Sequence, residues 1–490
     1  MKYKVTVIML CIAILAVSFL AGYAKIEKKQ VYHQHQEEPA ALETSYSTEF
    51  DGFTSHLPIV SITTEETIPG RPIKDENHRT VAYVTTESGK SDAAGFIDIM
   101  YNGSACNSTS DVPDLSSRMN IHIRGNSSRS FEKPGYSIEL LKEDGSENSK
   151  KVIGMAKHSK WVLHGPYLDK TLIRNYLAYG IAGEIMSYAP DVRFCEVFIN
   201  REYQGLYLMT ERITNGKSGR LPLETEKKGN TFSGYLLRLD RGSNIEEQNH
   251  DMFSVYNYLT ESKMNIEYPG TSRLTPEVKS AIHKDFSTFE KTLYSFDLSD
   301  RKYGYKALID VNSFVDYFII NEAFCNYDAG FYSTYIYKGV DGKFNMCVWD
   351  FNNAFDNYME KPTDPHHFEM NKRLWFEALI SDKDFNRAVI HRYEKLRKTI
   401  LSDENLEEYI NSTIEYLGPA IERNNRRWAC AYSEEYDRLI PAERNLRSYE
   451  MSVTQLKSFL YERLSWMDEN IYSLKQYCAG SKTKGNRETD

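Results

Sequence analysis

The sequence lacks several short motifs that identify common classes of enzyme. It contains no G-x-S-x-G, no phosphate-binding P-loop and no H-E-x-x-H. These absences exclude the usual α/β-hydrolases, the P-loop nucleotidases and the zincin peptidases. The seven cysteines are scattered singly, with no C-x-x-C pair, so a zinc site is not expected. Buried thiols are the expected reading, although an exported chain could also form disulfides of unknown pairing.

The chain also lacks an excess of basic residues. Its formal net charge is -9 at pH 7, and a field of this sign gives no general attraction for nucleic acid. We therefore expect no nucleic-acid partner. The same field repels a free nucleotide, so a nucleotide site in this chain needs basic groups and a metal ion concentrated locally.

A targeting segment is predicted at the N-terminus. Lys2 and Lys4 precede an apolar run over residues 5–22, which is the pattern of a signal peptide. Gly22 and Ala24 are small residues at suitable positions for cleavage after Ala24. The run is also close to the minimum length that spans a bilayer, so an uncleaved anchor fits equally well. Both alternatives predict an extracytoplasmic protein, secreted or anchored, that contacts the membrane only through this segment.

The hydrophobic pattern divides the rest of the chain into a β-rich half and a helical half. Alternating runs such as 119–124 and 135–141 predict strands, and helical spacing dominates from Pro276 onward, interrupted by one hairpin with the turn Asp341-Gly342. The predicted organisation is a signal peptide or membrane anchor over residues 1–24, a polar linker over 25–56, a β-rich N-lobe over 57–250, a helical C-lobe over 251–478 and a polar tail over 479–490.

This order of elements is that of a protein kinase, with a small lobe, a hinge and a large lobe. The predicted fold class is α+β, a divergent two-lobed protein-kinase-like fold with a β-rich N-terminal lobe and a mainly helical C-terminal lobe. His33 and His35, in the predicted linker, are expected to be solvated.

Two aspartates follow these elements in the order that phosphoryl transfer uses. Asp328 follows a predicted helix over 311–325, and Asp350 follows the hairpin. In kinases one such acid positions the acceptor hydroxyl, and the other binds the metal that bridges the phosphates. We predict Asp328 as the catalytic base and Asp350 as a metal ligand. Taken alone, both positions also suit an aspartate that simply ends a helix or a strand.

The second metal ligand of a kinase is an asparagine five residues after the catalytic aspartate, and this sequence has Ser333 there. A serine hydroxyl can ligate Mg²⁺, and Asn352, close to Asp350, can supply an amide oxygen. We predict Ser333 and Asn352 as further metal ligands. Because a hydroxyl is a weaker ligand than an amide oxygen, Ser333 bears directly on whether the site is active.

A basic turn supplies the predicted phosphate site. Residues 124–129 read R-G-N-S-S-R between two predicted strands, and they offer two guanidinium groups and backbone N–H donors. A basic hairpin tip is more commonly just solvated.

The predicted ATP-binding residues are Arg124, Ser127, Ser128, Arg129, Lys133 and Glu211. Lys133 takes the place of the small-lobe lysine, and Glu184 is a candidate partner for it, although a surface acid is the better interpretation of Glu184. Glu211 sits at the expected hinge, whereas Asp240 fits a surface acid better than a cleft residue.

Taken together, these motifs resemble those of the CotH-type kinases. The ordered set is Leu57-Pro58, the 124–129 turn, Trp161 with residues 169–175, the strand 205–211, Asn326-Tyr327-Asp328 and Trp349-Asp350-Phe351. It covers residues 57–475. The resemblance implies an atypical kinase fold, ATP with Mg²⁺ or Mn²⁺, and phosphorylation of Ser or Thr in a protein. It assigns Asp328 as the catalytic acid, Asp350 as the metal-binding acid and Lys133 to the basic segment.

Three positions depart from the pattern of that family. Pro134 stands where a second lysine is common, Ser333 where an asparagine is common, and Asp356 where a glycine is common. The first two weaken the expected phosphate and metal sites. Three functions therefore compete: an active extracytoplasmic kinase, a weak or inactive binding or adhesion module on the same scaffold, and transfer of a nucleotidyl group. A spore-coat protein or a surface protein is the expected kind of substrate.

Overall fold

This computed structural model describes residues 31–41, 45–103, 106–214, 220–221, 223, 234–241, 249–250, 262–339 and 342–478. The predicted signal peptide or anchor, the polar tail and Asp341 of the predicted turn lie outside these residues. Across the described ranges, no helix is both long and apolar enough to span a membrane.

Strands dominate the first half of the chain. Short alternating runs form them because a strand sends successive side chains to opposite faces. The strands are β1 (Thr54–Ser55), β2 (Ile59–Thr64), β3 (Pro72–Lys74), β4 (Thr80–Tyr83), β5 (Ala93–Met100), β6 (Asn107–Ser108), β7 (Leu115–Arg124), β8 (Gly135–Leu141), β9 (Lys160–His164), β10 (Val192–Ile199), β11 (Glu202–Glu211), β12 (Tyr235–Arg241), β13 (Asn249–His250), β14 (Ser262–Tyr268), β15 (Thr334–Lys338) and β16 (Phe344–Cys347).

A closed barrel forms the centre of the β-rich region. Seven strands close it in the order β10-β11-β9-β8-β7-β5-β2, and neighbours are antiparallel except for β10 with β2. In β7, Met119, Ile121 and Ile123 occupy every second position, so these apolar side chains enter the barrel together. Trp161 of β9 joins them in the same core. The barrel is therefore packed with side chains and has no channel through this core.

A second sheet joins the two halves of the chain. Its order is β13-β14-β12-β15-β16. Strand β12 comes from the β-rich half and pairs antiparallel with β15 of the hairpin, with Leu239 opposite Thr334. The predicted boundary between residues 250 and 251 therefore falls within one sheet. Backbone hydrogen bonds fix the hairpin, and the residues that flank it, to the β-rich half.

Helices dominate the second half. The helices are α1 (Gln34–Glu37), α2 (Arg174–Ile185), α3 (Pro276–Leu293), α4 (Tyr305–Leu308), α5 (Val311–Ala323), α6 (Phe376–Ile380), α7 (Lys383–Arg397), α8 (Asp403–Leu417), α9 (Pro419–Arg427) and α10 (Tyr449–Asn470). Helices α8 and α9 are separate, because Gly418 between them has a φ of +45° and Pro419 lacks a backbone N–H. The protein is a mixed α+β structure with a β-rich N-terminal region and a helical C-terminal region, as predicted.

Helix α5 is buried in the middle of the helical region. All of its residues from Ser313 to Ala323 are buried, and Asp310 caps its first turn by accepting from Ser313 N at 3.0 Å. At its end, Glu322 forms a buried ion pair with Arg463, at 2.5 Å between Oε1 and Nη2. A helix enclosed on every side holds the loop that follows it in a fixed place.

Parts of the segment predicted as a polar linker are packed against the rest of the protein. His33, Gln34 and His35 are buried, and strand β1 pairs with β6. The expectation that the two histidines are solvated is wrong, because their ring nitrogens bond to side chains of helices α2 and α8.

Candidate functional site

The structure brings Asp328 and Asp350 into electrostatic contact. Asp328 lies in the loop after α5, and Asp350 lies shortly after β16. Burial, and then the charge of Asp350, raise the pKa of Asp328 to about 7. Burial also raises the pKa of Asp350, and the nearby Arg124 opposes that rise. The two carboxylates predicted for catalysis and for metal binding therefore share one poorly solvated place.

Hydrogen bonds fix the loop that carries Asp328. Its carbonyl oxygen accepts two backbone hydrogen bonds from within the loop. Asn353 Nδ2 donates to its Oδ2 at 2.7 Å. From outside the loop, Arg373 donates to Tyr327 O at 2.9 Å. These contacts hold the Asp328 carboxylate beside the segment that follows Asp350.

Side chains of helix α2 and the neighbouring Asn352 orient Asp350. Its backbone is left-handed, with a φ of +57°, which costs energy in a residue other than glycine. Asp350 N donates to Tyr179 Oη at 3.0 Å, and Phe351 N donates to Asn175 Oδ1 at 2.7 Å. Asn175 Nδ2 donates to Asn352 Oδ1 at 3.1 Å, and Asn352 Nδ2 donates to Asp350 Oδ1 at 2.7 Å. These hydrogen bonds offset the energetic cost of the left-handed backbone at Asp350.

These hydrogen bonds between amide groups give Asn352 a role different from the predicted one of metal ligand. Because the Phe351 N–H fixes the Asn175 oxygen, the Asn352 oxygen faces Asn175 and its NH₂ group faces Asp350. Asn352 therefore orients the carboxylate of Asp350, and its oxygen is not directed at a cation bound there, as the sequence had suggested. No sequence pattern assigned a role to Asn175 or Tyr179, because their partners lie 177 and 171 residues away.

Ser333 lies immediately before β15, next to a third acid. Its backbone is left-handed, with a φ of +51°. Since Leu239 pairs with Thr334, Asp240 follows in β12 beside Ser333. Asp240 raises the pKa of both predicted site aspartates, although the sequence favoured a surface position for it. Its placement follows from strand register, which one sequence does not reveal. Ser333 as a metal ligand stays a prediction.

The carboxylate oxygens of Asp328 and Asp350 are suitable ligands for a hard divalent cation. In kinases and related enzymes, Mg²⁺ is held by one or two carboxylates together with substrate phosphates. Asp328 and Asp350 offer such carboxylates, and their burial favours neutralisation by a cation. Within the described ranges, no three His, Cys, Asp or Glu side chains are grouped closely enough to hold an ion alone. Asp328 and Asp350 could therefore supply two of the oxygen ligands of a divalent cation, with its other ligands coming from outside these two side chains.

Arg124 is the predicted phosphate-binding residue that faces the acids. Its guanidinium lies over the ring of Trp349, 5.7 Å from the centroid. Burial lowers its pKa, and Tyr335 and Asp350 oppose this effect. Its guanidinium has no hydrogen bond or ion pair with the residues that the structure describes. A stacked guanidinium whose N–H groups are not bonded to the described residues is well placed to bind phosphate oxygens.

The turn at residues 124–129 lies over the segment that contains the acids. The Asn126 amide oxygen accepts from Nε and Nη1 of Arg241, at 2.6 and 2.9 Å. Arg241 in turn packs on Tyr332, 4.2 Å from its ring centroid. Arg241 of β12 therefore links this turn to the loop that carries Asp328, and the phosphate-binding role of the turn stays a prediction.

Comparison with known protein families gives a match over the part of the chain that contains these residues. The sequence profile described as CotH kinase protein matches residues 121–467. The chain belongs to the CotH kinase family. A search of curated proteins finds no match. The family match begins within β7 and ends within α10, so it includes both aspartates and Arg124. Membership makes this chain an atypical kinase-like protein, in agreement with the resemblance of its motifs.

In this CotH-family chain, Lys133 is buried and its amine forms hydrogen bonds within the protein. It is 1% exposed, and its ammonium donates to Leu206 O at 2.6 Å and to Asn424 Oδ1 at 2.7 Å. The face of Tyr207 lies 4.8 Å from it. Burial lowers the pKa of Lys133 to about 7. Two of the three N–H donors of the ammonium group are bonded within the protein, and the group is enclosed beside the Tyr207 ring, so this arrangement does not support the predicted phosphate contact.

The other predicted phosphate ligands of the turn have local contacts. Gly125 has a φ of +104°, and a Cβ there would lie 1.9 Å from Ser128 Oγ, so only glycine fits. Ser127 is exposed. Arg129 donates from Nε to Gly125 O at 2.7 Å and from Nη1 to Gly70 O at 3.2 Å. Arg129 therefore braces the turn, and a phosphate role for it and for the two serines stays a prediction.

Two glutamates assigned near the nucleotide have other partners. Glu184, the suggested partner of the buried lysine, instead contacts His33, at 2.5 Å between Oε1 and Nε2. Glu211 is buried and accepts from Arg220 Nη2 at 2.6 Å. Its backbone N–H donates to Asp191 O at 2.9 Å. The N–H and side chain of Glu211 are therefore bonded within the protein, and these two groups do not support the predicted contact with adenine.

We expect Asp328→Asn to stabilise the metal-free protein at neutral and higher pH. The folded-state pKa of Asp328, about 7, lies above its ordinary value of 3.8, so ionisation destabilises the fold as pH rises through 7. One pKa unit is worth about 1.4 kcal/mol, and with a discount for partial exposure the expected gain at about pH 8 is on the order of 1–3 kcal/mol. Thermal unfolding in EDTA measures this gain, which should shrink below pH 7 and vanish near pH 4. A gain that does not depend on pH would contradict the assignment.

Proposed function

We propose that this protein is an ATP-dependent protein kinase that transfers the γ-phosphate to Ser or Thr of a protein. The observation that carries the proposal is the meeting of Asp328 and Asp350 in one poorly solvated place beside Arg124. In this proposal the β-rich and helical regions act as the two lobes of a divergent kinase-like fold. The mixed sheet that joins them, β13-β14-β12-β15-β16, lines the cleft.

Each residue has a defined part in the reaction. Asp328 accepts the proton of the acceptor hydroxyl while that oxygen attacks the γ-phosphorus and ADP leaves. Burial raises the pKa of Asp328 above that of an exposed aspartate, which makes it a stronger base. Asp350 holds Mg²⁺ or Mn²⁺, which neutralises the charge of the phosphates when bound. Arg124 binds phosphate oxygens, which Lys133 cannot do while its amine is buried and bonded.

We also propose that the reaction takes place outside the cytoplasm, on a surface, secreted or spore-coat protein. The support is the charged and apolar pattern of residues 1–24. Fractionation of cells that express the full chain tests this location. Recovery of the full-length chain from the cytoplasm alone would refute it.

A binding or adhesion module on the same scaffold is the second candidate. Two observations favour it. Lys133 is buried within the protein, and Ser333 stands in place of the asparagine whose side-chain amide usually completes the metal site. In this role the cleft would bind a nucleotide without transferring its phosphate.

The test uses the full chain with ATP labelled at the γ-phosphate, Mn²⁺ or Mg²⁺, and a mixed protein acceptor. We expect label on Ser or Thr, lost in EDTA. Asp328→Asn is the matched control, because it keeps the shape of the side chain but cannot accept the proton. It should retain nucleotide binding and lose at least about 100-fold in transfer rate.

Three outcomes would refute the kinase proposal. Equal labelling by wild type and Asp328→Asn would show that the transfer does not use this site. Nucleotide binding without transfer in the wild type would support the binding module. Label retained from ATP that is labelled at the α-phosphate would indicate nucleotidyl transfer.

A further inference from the structure

Residues 31–38, which we call the N-terminal strap, lie across helix α2 and strand β10. Gln34 donates from Nε2 to Phe194 O at 3.3 Å, and it accepts from Phe194 N at 2.7 Å. Strand β2 pairs with β10 only from Glu196 onward, so Phe194 lies on an edge that β2 leaves open. The Gln34 side chain thus supplies both hydrogen bonds that a neighbouring strand would make. The strap precedes the family match, which begins at residue 121.

Two histidines of the strap bind two helices at once. His33 Nε2 lies 2.5 Å from Glu184 Oε1, and its Nδ1 lies 3.0 Å from Tyr409 Oη. His35 Nδ1 lies 2.8 Å from Tyr176 Oη. Glu184 and Tyr176 belong to α2, and Tyr409 belongs to α8. The strap therefore connects α2 to α8 through polar contacts, and those to Tyr176 and Tyr409 are buried and so are costly to leave unmade.

The C-terminal part of the strap is anchored in the same way. Glu38 accepts from Tyr101 Oη at 2.9 Å and from Tyr416 Oη at 2.8 Å. Tyr101 follows β5 of the barrel, and Tyr416 lies on α8. Both ends of the strap thus hold to elements of the folded domain.

Two glycines on α2 make room for these contacts. A Cβ at Gly183 would lie 2.0 Å from Val31 Cγ2, and one at Gly180 would lie 2.0 Å from Tyr409 Oη. Glycine inside a helix costs about 1 kcal/mol relative to alanine. Their presence at these positions indicates that close packing of the strap and of α8 against α2 outweighs that cost.

The same helix reaches the proposed metal site on its other side. Asn175 and Tyr179 of α2 bind the backbone N–H groups of Phe351 and Asp350. Tyr176, the residue between them in sequence, binds His35 of the strap. One rigid helix thus contacts the strap and the metal-binding segment within a few residues.

We propose that the N-terminal strap is an internal positioning element for the proposed metal site. By seating against α2, it fixes Asn175 and Tyr179, and through them it holds Asp350 in its left-handed conformation. Its effect on nucleotide binding depends on the proposed function, whereas its effect on α2 and Asp350 does not. Release of residues 31–38 then loosens Asp350 and weakens binding of metal and nucleotide.

The decisive variant is Gly183→Ala in the full chain. The new methyl meets Val31 of the strap, while alanine favours the helix itself. Hydrogen–deuterium exchange without nucleotide should rise about 10-fold or more for residues 31–38 and for the amides of Asp350 and Phe351. The Kd for Mn²⁺ with a non-hydrolysable ATP analogue should rise by about 3–10-fold. Combining Val31→Gly with Gly183→Ala removes the clash and should restore both measurements, with Val31→Gly alone as the control.

His33→Ala is a second variant that leaves α2 unaltered, and it should give the same pattern even if Gly183→Ala folds poorly. Faster exchange in the strap with unchanged exchange at Asp350 and Phe351 would overturn the proposal, since the strap would then only pack. Unchanged strap exchange in both variants would overturn it too. Absence of nucleotide binding in the wild type would instead refute the proposed function, and the exchange data would still decide the strap.

Discussion

Asp350→Asn should lower the rate of phosphoryl transfer by about 10³-fold or more, because it removes the charge that holds the metal. The amide keeps the shape of the carboxylate, and its oxygen can still accept from Asn352 Nδ2, so the fold should persist. A loss of this size corresponds to about 4 kcal/mol of transition-state stabilisation. Initial rates measured over a range of Mn²⁺ and ATP concentrations give the effect on kcat and on metal affinity separately.

Asp356→Asn is the matched control for this result. Asp356 has nearly the same left-handed backbone, with a φ of +59° against +57° for Asp350. Its carboxylate pairs with Arg444 at 3.0 Å. We expect transfer within about 3-fold of the wild-type rate, as for a substitution outside the reacting groups. A similar loss in both variants would indicate a general structural effect, and full activity of Asp350→Asn would contradict its role as metal ligand.

Arg124→Ala should raise the KM for ATP by about 10–100-fold, whereas Lys133→Met should leave it within about 3-fold of wild type. This is the reverse of the expectation from the kinase template, in which the lysine binds the phosphates. The reason is that the Arg124 guanidinium makes no hydrogen bond or ion pair with the described residues, while the Lys133 amine is bonded within the protein. Steady-state kinetics and equilibrium binding of ATP with Mn²⁺ measure both effects.

Lys133→Met should also change how stability depends on pH. The folded-state pKa of Lys133, about 7, lies below its ordinary value of 10.5. The unfolded chain therefore binds more protons between these values, and wild-type stability should rise with pH across that range. The variant should lack this rise. A large increase in KM for Lys133→Met, together with unchanged pH dependence of its melting temperature, would show that the lysine faces the nucleotide after all.

Local patterns in the sequence predicted most of the elements that carry the site. The strand over 135–141 is β8, and the helix over 311–325 is α5, shorter by two residues at its end. Both follow from periodicity, since every second residue or every third to fourth residue is apolar. Strand β9 was not predicted. Its three central residues are all buried, so the sequence there does not alternate between apolar and polar residues. The order of the elements placed Asp328 and Asp350 correctly at the ends of a helix and a hairpin.

What the sequence by itself determined is the mixed α+β pattern, the pair of aspartates and the basic turn, because each depends on residues close together in the chain. Tertiary structure alone decided which side chains face the site. Strand register placed Asp240 beside Ser333, and an amide of α2 turned the oxygen of Asn352 away from Asp350. Packing also placed the Lys133 amine in contact with Asn424, 291 residues away. The physical reason is that side-chain direction and strand register are set by packing between distant segments, which local periodicity does not encode.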